Sequence, residues 1–175
     1  MLVSNILIIY SSVHGQTRKI CEYLKQQLET VGNTVTASSI DDVPDLVVFD
    51  KVILGASIRN GKHHPSVYEF ISNNRVMLEQ KVTSFFSVNL VARKPAKNTV
   101  ETNPYTRAFL EKTDWRPTLL KVVAGNIDYQ GYGAMDRNII RFIMWITKGP
   151  TDANTKIEYT DWTKVETYAQ EFHAL

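Results

Sequence analysis

Seven consecutive residues near the start of the chain carry the first usable chemistry: Ser11, Ser12, Val13, His14, Gly15, Gln16 and Thr17. Small hydroxyl side chains and a glycine stand where an apolar run hands over to a helical pattern. Backbone N–H groups and the positive end of a helix dipole would then face one point. That is a phosphate cradle by position, with the Ser12 and Thr17 hydroxyls completing its hydrogen bonds. The same residues would also serve as a plain helix-capping turn without a ligand. Neither a Walker loop nor a Gly-x-Gly-x-x-Gly fingerprint is present, which moves weight from ATP and NAD to a mononucleotide.

Two later loops belong with this one. They are 56–61, which includes Ser57, Ile58, Arg59 and Gly61, and 87–94, which includes Ser87, Val88, Asn89, Leu90, Arg93 and Lys94. Arg59, Lys62, His63, His64, Arg93, Lys94 and Lys97 make both loops basic, a setting in which cations could orient ligand carboxylates. A lone lysine is more often a solvated surface charge, so Arg93 and His63 are the stronger candidates. No metal is expected, because the four histidines lack zinc-ligand spacing. Cys21 is the only cysteine, which excludes a CxxC redox site and an intrachain disulfide.

The elements that must position these loops read as an alternation. Asn5 to Tyr10 and Lys51 to Ile58 are continuous apolar runs, the pattern of central parallel strands covered on both faces. Thr34 to Ile40 alternates like a half-buried edge strand, Lys81 to Leu90 is rich in strand formers, and Leu119 to Gly125 makes a fifth strand. Helical spacing fills Gln16 to Val31, Pro65 opens a second helix, Asn103-Pro104 a third, and Asp161 caps the last. This order predicts an α/β, doubly wound, five-stranded parallel sheet in the order 2-1-3-4-5, whose ligands lie beyond the carboxyl ends of the strands.

At 175 residues with 43% hydrophobic content, the chain suits one domain over 1–175. A net charge of +2 is too small to imply nucleic acid. The apolar run NILIIY is too short for a signal core or a membrane span, so the expected setting is cytoplasmic.

The run Ser12-x-His14-Gly15-x-Thr17 resembles the FMN-phosphate loop of flavodoxins, departing from it at His14, where a hydroxyl residue is usual. That resemblance implies FMN as cofactor, with residues 11–17 at the phosphate. It places Ser57, Ile58, Arg59, Gly61, Ser87, Val88, Asn89 and Leu90 beside the ring. Longer segments, namely 15–18, VILGASIRNGKHH (52–64), FFSVNLVARKP (85–95), 114–117 and 159–162, are similar to the menaquinone-dependent protoporphyrinogen IX dehydrogenases. Membership would imply a flavodoxin-like fold with an insertion near strand five, here 129–155. It would also imply oxidation of protoporphyrinogen IX with menaquinone or another quinone as acceptor. Either a flavodoxin-type electron carrier or an NAD(P)H:quinone reductase is the alternative, although the basic loops fit an acidic-surfaced shuttle poorly.

Within the insertion, a helical wheel over 135–148 puts Ile139, Phe142, Ile143 and Ile146 on one core stripe. It leaves Ile140, Met144 and Trp145 as surplus apolar surface. Arg137, Arg141 and Lys148 flank it. A fully buried helix is one reading. The other is a face for a membrane surface, or for an apolar anionic substrate whose propionates meet His63, Arg93, Lys94, Arg137 and Arg141. On that second reading the protein is peripheral on the cytoplasmic face of the inner membrane.

Overall fold

The computed structural model describes residues 3–175, so Met1 and Leu2 of the expected domain lie outside the described residues. The chain runs β1 (Asn5–Ser11), α1 (Gln16–Thr30), β2 (Thr34–Ser39), β3 (Lys51–Arg59), β4 (Lys62–His63), α2 (Pro65–Glu79) and β5 (Val82–Asn89). It continues through α3 (Pro104–Lys112), β6 (Leu119–Ala124), β7 (Asn126–Asp128), α4 (Ala134–Ile146), β8 (Lys156–Glu158) and α5 (Trp162–Ala174).

The continuous apolar strands are buried twice over. Ile6 and Ile8 of β1 pack with Ile20, Leu24, Tyr168 and Phe172 of α1 and α5, whereas Leu7 and Ile9 pack with Val67, Ile71 and Phe109 of α2 and α3. Alternate side chains thus feed two cores, which is why no polar position interrupts the run. The strands pair in parallel in the order β2-β1-β3-β5-β6. Setting aside the two-residue β4, this is the predicted 2-1-3-4-5. Strand order reverses between β1 and β3, and a crevice opens there at the carboxyl ends.

Helix starts follow the sequence signals. Asn103 Oδ1 accepts the Tyr105 N–H at 3.1 Å ahead of α3, and Asp161 Oδ1 accepts the Lys164 N–H at 3.2 Å ahead of α5. His64 Nδ1 accepts the Ser66 N–H at 3.2 Å, with Pro65 as the first residue of α2. α1 is the exception among these, since Gly15 precedes it and no side chain caps it.

Three short strands, β4, β7 and β8, lie outside the sequence expectation. β3 and β4 form a hairpin joined by Asn60 and Gly61, both at positive φ (51° and 78°). An Asn-Gly pair between two strands is the mirror-image turn that matches strand twist, and it was the available signal.

The insertion leaves and returns at one place. β7 pairs antiparallel with β8, Asn126 opposite Glu158 and Asp128 opposite Lys156, so residues 129–155 bulge from a short ladder. Tyr129, Tyr132 and Met144 of this segment build a third core with Ile127 of β7, and Leu90, Ile140 and Tyr159 pack against it.

The expected stripe on α4 is corrected here. Phe142 and Ile146 are 60% and 58% exposed while Met144 is fully buried. The wheel assumed that the widest aliphatic face meets the sheet, but α4 packs on its own insertion through Asp136, Ile140 and Met144. Those three are spaced by four, and the polar residue heading the row disguised it.

Gly55 in β3 lies opposite Phe86 of β5, and a Cβ at Gly55 would come within 2.3 Å of that ring. Gly55→Ala is therefore expected to cost about 1–3 kcal/mol, read as a lower urea midpoint at unchanged slope.

Candidate active site

The cradle expected after β1 is present as geometry. Gly15 sits at φ 91°, in the left-handed region, and turns the chain into α1 so that the first-turn amides have no intrahelical partner. Ser12 Oγ accepts the Gly15 N–H at 3.1 Å, which leaves its own hydroxyl proton to donate. Thr17 is 1% exposed, and its Oγ1 has no hydrogen-bond partner in the protein. An unmet buried hydroxyl costs roughly 1–3 kcal/mol, so a ligand oxygen is the natural occupant. Uncapped amides, a free serine hydroxyl and an orphaned threonine hydroxyl fit the phosphate of FMN.

Other members of the loop do different work. Gln16 Nε2 donates to Thr160 Oγ1 at 2.9 Å and to Glu158 Oε2 at 3.2 Å. Glu158 also accepts from Lys19 Nζ at 2.6 Å and Trp162 Nε1 at 2.6 Å. Lys19 holds the Glu158 carboxyl below its ordinary range. Gln16 thereby fastens α1 to the root of the insertion. Ser11 ends the strand, its carbonyl accepting the Ser57 hydroxyl at 3.5 Å, and Val13 is exposed.

Beyond the cradle lies a cleft of about 920 Å³, counting its open mouth. Ser57, Ile58 and Gly61 line one side, and Val88, Leu90 and Val91 the other. Its third wall is α4, through Ile139, Ile140 and Ile143, with Tyr105 and Tyr132 alongside. Sequence reasoning missed Tyr105, Tyr132 and Asp136 as lining residues. Nothing in their spacing announces that the insertion folds back over the sheet.

Asn89 lines the cleft with its amide already engaged. Its Oδ1 accepts from Ala92 N–H and from Asn103 Nδ2, both at 3.0 Å, and its Nδ2 donates to Ser87 Oγ at 3.2 Å. The amide is consumed in shaping the loop. Ser87 is fully buried and turned toward His63, while Val88, Asn89, Leu90, Val91 and Arg93 of this loop line the cleft.

The cations divide. His63, expected to meet substrate, is 2% exposed beneath the sheet, its Nε2 2.8 Å from Ser87 Oγ and its ring edge-on to Phe85 and Phe109. Pairing with Ile58 across the hairpin turned it inward. Burial, with Lys112 nearby, lowers its pKa to about 4. Lys94, Arg137 and Arg141 also lie outside the cleft lining, and Arg141 Nε donates to Thr151 O at 2.8 Å. Arg93 does line it, while donating to Leu90 O at 2.9 Å and Thr147 Oγ1 at 3.1 Å. Arg59 and His14 turn to Asp136, at 3.1 Å and 3.4 Å. Burial lowers the His14 pKa, Asp136 opposes that, and Arg59 adds to it.

With the geometry in place, comparison with known proteins gives the lineage. Residues 7–154 match the family model of the flavodoxin domain. The chain belongs to the flavodoxin domain family. This flavodoxin-family chain is 40% identical over 167 residues to the Protoporphyrinogen IX dehydrogenase [quinone] of Escherichia coli (strain K12), covering 94% of it and 92% of that protein. The protein of the same name from Leishmania major is 40% identical over 174 residues, covering 97% and 74% respectively. Among solved structures, flavodoxin 1 from Bacillus cereus superposes with a TM-score of 0.56 at 16% identity, covering 97% of each chain. The flavodoxin of Streptococcus pneumonia TIGR4 gives 0.54 at 14%, covering 97% of this chain and 98% of that one. Both share the fold.

The buried His63 sets a pH dependence. Below its ordinary 6.5 the unfolded chain binds a proton that the folded chain refuses until about pH 4, so stability falls as pH drops through that window. The loss approaches roughly 3 kcal/mol at its foot. His63→Gln, which can still bond Ser87, is expected to remove this contribution in urea titrations between pH 7 and 4.5.

Proposed function

We propose that this flavodoxin-family protein, with 1–175 acting as one unit, holds FMN, oxidises protoporphyrinogen IX to protoporphyrin IX and passes the electrons to a quinone. What carries the substrate assignment is the 40% identity, over 94% of the chain, to a protein named for that reaction. The α1 amides, Ser12 and Thr17 would hold the phosphate. Ser57, Ile58 and Gly61 would flank the ring on one side, with Val88 and Leu90 on the other. Bound there, FMN supplies the acceptance of hydride equivalents and their onward transfer.

The protein's own contribution is a shaped, largely apolar slot. Tyr105, Leu90, Ile139 and Ile143 would lie against a tetrapyrrole or quinone ring and keep water from it. Arg93, at the rim, retains guanidinium protons for a propionate after its contacts to Leu90 and Thr147. An electron carrier that docks to proteins has no use for such a slot, and a net charge of +2 does not suit an acidic docking face.

The test is anaerobic incubation of the FMN-loaded protein with protoporphyrinogen IX and a menaquinone analogue, following porphyrin fluorescence. Quinone-dependent acceleration over buffer is expected. A rate equal to buffer would end this reading.

The outer face of α4 extends the proposal to a membrane surface. Met135, Phe142, Trp145 and Ile146 are all exposed on it, with Arg137, Arg141 and Lys148 on the same segment. Among the described residues no helix is long and apolar enough to cross a membrane. A short helix with exposed aromatics and cations instead suits the headgroup boundary of an anionic bilayer, in which a lipid quinone dissolves. That would put the protein on the cytoplasmic face of the inner membrane. Replacing Phe142 and Trp145 together by serine is expected to weaken binding to phosphatidylglycerol vesicles at least about tenfold in sedimentation. Unchanged partitioning would reject the membrane contact.

A further inference from the structure

Asp136 stands in the first turn of α4 with its carboxylate nearly buried. Two side chains from different loops meet it. Arg59, the last residue of β3, brings Nη2 to 3.1 Å from each carboxylate oxygen and Nε to 3.3 Å from Oδ1. His14, from the phosphate loop, brings Nε2 to 3.4 Å. The His14 ring also lies 4.5 Å from that of Tyr132, whose hydroxyl donates to Asn126 O at 3.1 Å and accepts from the Asp128 N–H at 3.3 Å.

The far end of α4 is fixed in the same manner. Arg93, from the loop after β5, donates to Thr147 Oγ1 at 3.1 Å, at the carboxyl end of the helix where a cation is favoured. A cation at the amino end would be disfavoured, and Asp136 makes Arg59 acceptable there. Each flanking loop of the cleft therefore sends one arginine to one end of the insertion helix.

We propose that Asp136, clasped by Arg59 and His14, is the positioning residue that seats α4 as the third wall of the cleft. The side chains of Arg59 and His14 serve that wall instead of the phosphate or a substrate carboxylate. The inference rests on the FMN reading of the cleft only for what the wall encloses. It accounts for His14 at a place where flavodoxin loops carry a hydroxyl: the phosphate keeps Ser12, Thr17 and the amides, and the third side chain is released to hold the insertion. The Asp136 carboxylate is nearly buried although the Arg59 side chain is half exposed, so losing Arg59 leaves that carboxylate without its closest cation.

Hydrogen exchange of the α4 amides, measured without flavin, reads the clasp directly. Asp136→Asn and, separately, Arg59→Gln are expected to speed exchange in α4 at least about tenfold, with β1, β3 and β5 unchanged. In FMN titrations followed by flavin fluorescence, Thr17→Val should weaken binding roughly tenfold and His14→Ala by less than about threefold. In turnover, Asp136→Asn should raise the KM for protoporphyrinogen IX more than it lowers kcat per bound flavin, and Asp136→Glu should restore part of the loss. Wild-type α4 exchange in both clasp variants would overturn the proposal, as would a His14→Ala loss of FMN affinity equal to that of Thr17→Val. A chain that takes up no FMN would defeat the cofactor reading, while α4 exchange would still decide the clasp.

Discussion

α1 begins at a glycine in the left-handed region with no side chain over its amides, and beside them Thr17 buries a hydroxyl that meets nothing in the protein. Those unmet groups would be a liability in a helix that only packed. They persist because β1 delivers the loop to the point where strand order reverses, and because Gln16 and Lys19 lock the helix start to Glu158 and Thr160. The remaining architecture follows from that placement. The β3 and β5 loops emerge on either side of the same crevice, and the insertion has to close over it.

Much of this was legible in the residues. Runs such as NILIIYS state their double burial outright, and Asn103, Pro65 and Asp161 announce helix starts through chemistry local to the turn. The loop after β1 reads either as a phosphate cradle or as a plain capping turn, and the bare α1 amides with the unpartnered Thr17 hydroxyl favour the cradle. Helix-start signals are local because the bonds behind them join neighbouring residues.

Placements decided by partners distant in sequence were not legible. His63 looks like a loop cation until hairpin pairing aims it inward at Ser87. Asn89 lines the cleft, but that Asn103, fourteen residues on, holds its amide is not written in the local sequence. On α4 the aliphatic residues outnumber the positions a core can take, so composition could not say which row goes inside. Asp136 settled it by binding two loops that lie more than seventy residues earlier. A carboxylate at the head of an apolar row reads as an ordinary first-turn acid until the arginine that meets it is known.

The three-pair ladder between β7 and β8 has a bearing on how such a protein changes over time. Everything between Asp128 and Lys156 leaves and re-enters the fold at one root, is held otherwise by the side-chain contacts of His14, Arg59 and Arg93, and takes no part in the pairing of the parallel sheet. The cradle stays with the sheet, while the wall facing the cleft belongs to a cassette. Lineages built on this plan can therefore trade one bound partner for another by rewriting about thirty residues, without renegotiating how they hold their cofactor.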